Sequence, residues 1–231
     1  MRLKFYLIAF LLVGGAMQAQ NYKFGKVSKE EVEETEHPTN KDADAAILYK
    51  KQYSFYDYNS TTGLSLVTRY HYRIKLYNED GFDWATVQLD EYKSSNDEEK
   101  IYGVKGYTYN IVDGKLVDEK LRKDEIFDEE ISKYRDAIKF TMPSLQAGSV
   151  VEYEYEKRSP FLTSLDDTEL QATIPIKMME VKVEIPEFFG FVSHYNQLAS
   201  LFIPIDKTSE PFNMHTQSND YLQTVYTITK E

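Results

Sequence analysis

The chain contains no cysteine, one tryptophan (Trp84), seven prolines and ten glycines in 231 residues. Without cysteine there is no thiol nucleophile, no disulfide, no zinc–thiolate site and no iron–sulfur cluster. Basic side chains are the minority charge, 27 against 38 acidic ones, giving a formal net charge of −11. A nucleic-acid or anionic-membrane surface needs clustered Lys and Arg, so neither is an expected partner. Past residue 13 no apolar run approaches the roughly 20 residues of a membrane-spanning helix. What the chain has in quantity is tyrosine, 19 residues beside 13 Phe, within a hydrophobic fraction of 42%. That length and composition can bury a sizeable core.

The first nineteen residues read as a secretory signal peptide. Arg2 and Lys4 make a positive start, Phe5 to Val13 (FYLIAFLLV) is uncharged and apolar, and Gly14-Gly15-Ala16 leads to Ala19. The apolar run is too short to span a bilayer. Cleavage is expected after Ala19, with Met17 a large residue for its position. The absence of cysteine excludes a lipoprotein anchor. Loss of residues 1–19 removes Arg2 and Lys4, leaving 25 basic against 38 acidic groups and a net charge of −13. The sequence therefore predicts an exported, acidic protein of the periplasm or cell surface of a Gram-negative bacterium, with no stable membrane insertion.

Residues 20–44 form a polar leader. Ser28 and Glu31 have capping-box spacing around KEEVEE, so a short helix is expected before His37-Pro38. From Ala45 the hydrophobic period becomes two. Leu64, Leu66, Thr68, Tyr70, Tyr72, Ile74 and Leu76 alternate with Ser65, Arg69, His71, Arg73 and Lys75, the pattern of a strand with one wet face. Asn78 to Gly81 reads as a turn, with Phe82 to Tyr92 as the antiparallel partner. Asp113-Gly114 marks a tight hairpin between Val104–Val112 and Lys115–Val117. Residues 118–136 read as a charged excursion. Further strands are expected at Ala137–Met142, Val151–Glu156, Glu169–Ile174, Met178–Ile185, Gly190–Tyr195, Leu201–Ile205 and Tyr221–Thr229. About ten or eleven short strands with little helix predict one all-β domain over 45–231, an antiparallel β-sandwich.

No catalytic or metal-binding pattern emerges. His37, His71, His194 and His215 lack the spacing of a local metal pair. There is no G-x-S-x-G elbow, no dinucleotide or P-loop glycine motif and no EF-hand spacing in the acidic loops. No cofactor is expected. The tyrosines carry two readings. Tyr70 with Tyr72, and Tyr107 with Tyr109, share strand faces, and on an exposed sheet such rows stack on sugar rings. Tyrosine is equally a good strand former whose polar tip suits sheet borders. The first reading makes the chain a free-standing glycan- or peptide-binding module; the second makes the rings core.

An ordered set of segments resembles one family: Ala45 to Tyr49, Thr68 to Asn78, Tyr107-Thr108-Tyr109, Asp113-Gly114-Lys115, Phe140-Thr141-Met142-Pro143, Ala147 to Tyr153, Gln171 to Pro175, and Val183 to Pro186. Together they are similar to the exported bacterial domain of unknown function 3857, which precedes a transglutaminase-like domain. The resemblance implies an immunoglobulin-like β-sandwich followed by a papain-like Cys–His–Asp domain. This chain ends at Glu231 and has no cysteine, so no catalytic residue carries over. It is expected to be a fragment or a stand-alone accessory domain that docks against, or positions substrate for, a transglutaminase-like module encoded downstream or in trans. Met142, Pro143, Gly148, Glu152, Tyr153, Pro175 and Pro186 stand at the motif positions and read as structural. Glu152 is either an exposed strand carboxylate or, if its face is covered, a carboxylate paired with Arg69 or Arg73.

Overall fold

The computed structural model describes residues 22–61, 63–191, 203–212 and 221–230. The expected signal peptide lies outside them, as do most of the strand expected at Gly190–Tyr195 and the start of the one at Leu201–Ile205. A short helix α1 (Lys29–Glu33) precedes the strands β1 (Ala45–Asn59), β2 (Gly63–Leu76), β3 (Thr86–Tyr92), β4 (Lys100–Val112), β5 (Lys115–Lys120), β6 (Phe127–Ser132), β7 (Arg135–Thr141), β8 (Val150–Ser159), β9 (Met179–Pro186), β10 (Asp206–Pro211) and β11 (Leu222–Lys230). Two 3-10 segments occupy Glu79–Ala85 and Lys123–Glu125.

The strands form an all-β sandwich of two unequal sheets. The larger has the order β10-β11-β9-β1-β2-β8-β4-β5, the smaller β3-β7-β6. These orders do not follow the four-and-three partition of an immunoglobulin constant domain. Neighbours are antiparallel except β1 and β9, which run parallel from Lys50 opposite Met179 to Ser54 opposite Val183. The expected antiparallel sandwich holds for every other pair of neighbouring strands. A parallel pair needs a long crossover, and everything between Asn59 and Met179 supplies it.

The core lies between the sheets. Ile74 and Leu76 of β2 and Val151 and Tyr153 of β8 pack against Val87 and Leu89 of β3 and Ile138 and Phe140 of β7. Each such side chain contributes about 1.5–3 kcal/mol on full burial. Along β3 exposure and burial alternate residue by residue, as a strand with one face on a core requires.

Several sequence expectations change. Of the strand expected at Leu201–Ile205, the described residues 203–205 are irregular, and β10 starts after them at Asp206. Phe82 to Tyr92 is not the partner of β2, because β1 and β8 already take both its edges. Glu79–Ala85 turns instead as a 3-10 helix, with Gly81 N–H donating to Asn78 Oδ1 at 3.2 Å, and only Thr86–Tyr92 is a strand, paired with β7. Glu169–Ile174 is irregular; the chain there meets β1 through a single bridge, Ile47 with Ile176. The charged stretch 118–136 is not a loop: it contains the end of β5, all of β6 and the start of β7.

Candidate functional site

The unusual chemistry of the molecule sits on the outer face of the larger sheet. Arg69, His71, Arg73 and Lys75 of β2 point there, and Glu152, Glu154 and Glu156 of β8 stand opposite them. The register places Arg73 across from Glu152, His71 across from Glu154 and Arg69 across from Glu156. The face is not wet along its length. His71, Arg73, Lys75 and Glu152 are buried, because the leader from Tyr22 to Glu34 lies across them.

The leader is held by its own sequence. Ser28 accepts from the Glu31 N–H, and Glu31 accepts from the Ser28 N–H, so the capping box fixes both the start of α1 and the Glu31 carboxylate. Val27 and Val32 pack on Leu48, Tyr109 and Val150. Tyr22 stacks on Tyr49 with centroids 4.6 Å apart, and Phe24 sets its edge to His71 at 5.5 Å.

Beneath it, one guanidinium serves two carboxylates. Arg73 donates to Glu152 Oε1 from Nε and Nη2 at 3.0 and 2.7 Å, and from Nη1 to Glu31 Oε1 and Oε2 at 3.0 and 3.1 Å. Its Nη2 also reaches the Lys23 carbonyl at 3.1 Å. His71 Nε2 lies 2.8 Å from Glu152 Oε1, and an ionised carboxylate there accepts a hydrogen bond from the Nε2–H. Glu152 Oε2 accepts from the Gly25 N–H at 2.8 Å and from the Tyr109 hydroxyl at 3.3 Å. Burial pushes the Glu152 carboxyl up, but the hydrogen bond from His71 and the charge of Arg73 outweigh it and hold it below the usual value. Lys75, with no exposed surface, donates to the carbonyls of Val32 and Gly148, both at 2.6 Å. Burial lowers its ammonium to about 8, partly offset by Glu34.

The four candidate tyrosines fall on two different faces. Tyr70 and Tyr72 face the inter-sheet side, stacked on Tyr155 and Tyr153 at 4.7 and 5.1 Å, and Tyr70 donates to Asp166 at 2.7 Å. Tyr107 and Tyr109 face the leader. Tyr70 and Tyr109 are buried, Tyr72 and Tyr107 half-buried, so these rings make no exposed row. The family-motif residues hold the frame. Met142 lies where a side chain on Gly106 would be, since a Cβ there would sit 2.8 Å from its Cε. Pro143 follows the end of β7, and Tyr153 stacks in the core. Gly148, at φ +93°, makes the turn that presents its carbonyl to Lys75. The Pro175 carbonyl accepts from Ile47 N–H at 2.9 Å, and buried Pro186 ends β9. Sequence reasoning names Glu152 and, as its partner on a covered face, Arg69 or Arg73; the structure pairs it with Arg73, and adds Glu31, His71 and Lys75, to which the sequence reading gives no place in this cluster. For His71 and Lys75 the signal is the run of alternating bases on β2 with alternating acids on β8, and for Glu31 only its capping-box position after Ser28.

Elsewhere, a groove of about 500 Å³ on the outer side of the smaller sheet is lined by Thr86, Gln88, Glu125, Phe127, Lys139 and Thr141, with Val87 and Phe140 behind them. Its polar groups are already partnered: Lys139 with Glu129 at 2.5 Å, Glu125 with Arg122 at 2.8 Å, and the two threonines with each other at 3.1 Å. His194 and His215 lie outside the described residues, and among those described no group of three or more His, Asp or Glu is poised to hold a metal. No helix among them is long and apolar enough to cross a membrane. Arg73, Glu152 and Glu31 are saturated by one another, an arrangement suited to fastening a segment rather than to turning over a substrate.

No curated protein matches the sequence. Among solved structures, the fold is similar to that of a candidate protease from Parabacteroides distasonis ATCC 8503, with a TM-score of 0.50 and 16% sequence identity. The similarity covers 80% of this chain and 35% of that one, so the chain spans about a third of that protein's length. The sequence profile of DUF3857, a domain of unknown function with a solved structure, matches residues 64–201. That span runs from β2 through β8 and β9 and takes in the Arg73–Glu152 pair, and it places this chain in the DUF3857 family.

Proposed function

We propose that the chain is a non-catalytic accessory domain, exported to the periplasm or cell surface, that docks against or positions substrate for a transglutaminase- or protease-like catalytic module. The observation that carries this reading is the partial coverage of the Parabacteroides distasonis candidate protease: a domain of this fold makes up about a third of a larger chain. The chemistry is consistent with it. The chain has no cysteine to act as a thiol nucleophile, and its most buried charged groups fasten the leader to the sheet.

The test uses the purified chain and a transglutaminase-like module encoded in the same genome. Calorimetric titration should show binding, and the module's KM for a peptide substrate should change on addition of the chain, which alone hydrolyses nothing. Turnover by the chain alone would overturn the reading, as would a module that neither binds the chain nor responds to it. Export is tested separately by intact mass of the protein recovered from its native cell. The expected mature chain begins at Gln20, two residues before the docked leader.

A further inference from the structure

Among the described residues the larger sheet ends in two unpaired edges, β5 and β10. β10 reads Asp-Lys-Thr-Ser-Glu-Pro, and its charges and terminal Pro211 blunt it against pairing. On the smaller sheet, β6 carries Asp128-Glu129-Glu130, so a second copy of itself would bring acid against acid. β5 differs from both. Every residue in it is exposed, including Leu116 at 36% and Val117 at 42%.

Its backbone has a fixed polarity. Asp113 and Gly114 have φ of 51° and 74°, the two positive angles of a type I′ turn, so Val112 and Lys115 close the hairpin as a hydrogen-bonded pair. The alternation continues to the end of the hairpin, where Leu121 N–H donates to the Gly106 carbonyl at 2.9 Å. Lys115, Val117 and Glu119 therefore direct their N–H and C=O groups to β4, while Leu116 and Asp118 direct theirs to the open edge.

We propose that β5 is a homodimer interface, pairing antiparallel with β5 of a second copy about a two-fold axis at Val117 and joining two sheets into one. Backbone polarity allows only even-numbered residues to meet as hydrogen-bonded pairs across this edge. The register centred on Val117 meets that condition, with Leu116 bonded to Asp118 of the second copy and the reverse. In the same register Lys115 faces Glu119 of the second copy on both sides of the axis, and Val117 faces its own equivalent. The neighbouring registers do worse: one centred on Asp118 sets Asp against Asp, and one centred on Leu116 sets Lys115 against Val117 and leaves Glu119 unpaired. The strand is thus complementary to itself in hydrogen bonding and in charge at once. Such a contact is isologous, so it closes at two chains, and the joined sheet then ends, among the described residues, at the blunted β10 strands.

Sedimentation equilibrium of the purified chain tests this. The native chain should be a concentration-dependent dimer. Lys115→Glu and Glu119→Lys, each placing like charges at two symmetric positions, should weaken dimerisation by about tenfold or more. Lys115→Glu combined with Glu119→Lys should restore it. Leu116→Pro, which removes an outward N–H and leaves the β4 ladder intact, should give a monomer with unchanged circular dichroism. A native chain that stays monomeric at the highest concentration reached overturns the proposal. So does a dimer that the single charge changes leave untouched, or a double variant no stronger than the single ones.

Discussion

Arg73 stands between two carboxylates that reach it from elements far apart in sequence, Glu31 of the leader and Glu152 of β8. Removing a partner from a buried ion pair leaves uncompensated charge in a low-dielectric interior and costs about 3–5 kcal/mol. Arg73→Ala strands two such charges, and its loss of stability, read from the urea midpoint, should lie in that range or above it. A loss under about 1 kcal/mol would show that water reaches the cluster. Lys75 gives a pH signature of its own. Its folded-state value of about 8 lies below the ordinary 10.5, so below pH 8 the folded and unfolded chains both carry the proton and the fold bears the cost of burying it. Between 8 and 10.5 the folded chain loses the proton first, and stability from this group rises with pH. From pH 7.5 to 9.5 the native urea midpoint should therefore rise relative to that of Lys75→Met. A parallel response in the two proteins would contradict the burial of a charged Lys75. At this scale the sequence offers Glu152 with Arg73 as one of two readings, since both are visible as alternating strand residues. The choice between an exposed and a paired carboxylate depends on what covers the face, and alternation along a strand carries no record of its cover.

The elements most legible in the sequence are those whose geometry is local. Asp113-Gly114 dictates the β4–β5 turn, because two consecutive positive φ angles suit those residues. Ser28 and Glu31 dictate the start of α1 for the same kind of reason. Elements decided by competition for partners are less legible. Phe82 to Ala85 has the composition of a strand, but β2 has no free edge to offer it, and Asn78 caps a 3-10 turn there instead. The pairing of β1 with β9 is equally hidden, since nothing in either strand marks it as parallel. Nor does the composition of residues 20–44 indicate that thirteen of them lie across a sheet.

For the whole molecule, the order of the larger sheet sets what can be cut away. The family match begins at Leu64 and ends at Leu201, yet β1 lies outside that span and sits between β9 and β2. A protein trimmed to 64–201 would lose its longest strand from the middle of the sheet, together with β11, which pairs β9 on its other side. It should show no cooperative urea transition, whereas a chain starting at Gln20 should unfold in a single sharp one. A cooperative transition in the trimmed protein would mean that β9 can find β2 without β1.

Trp84 packs against the core from the 3-10 turn between β2 and β3, half-buried, in a protein with no other indole. Nineteen tyrosines share the chain with it, several stacked within the same core. The molecule thus has a single optical acceptor for light absorbed by its phenol rings, and that acceptor sits where the two sheets meet. Its emission should respond to separation of the sheets and hardly at all to lifting of the leader on the opposite face, so one fluorescence trace, set beside circular dichroism, distinguishes the two events.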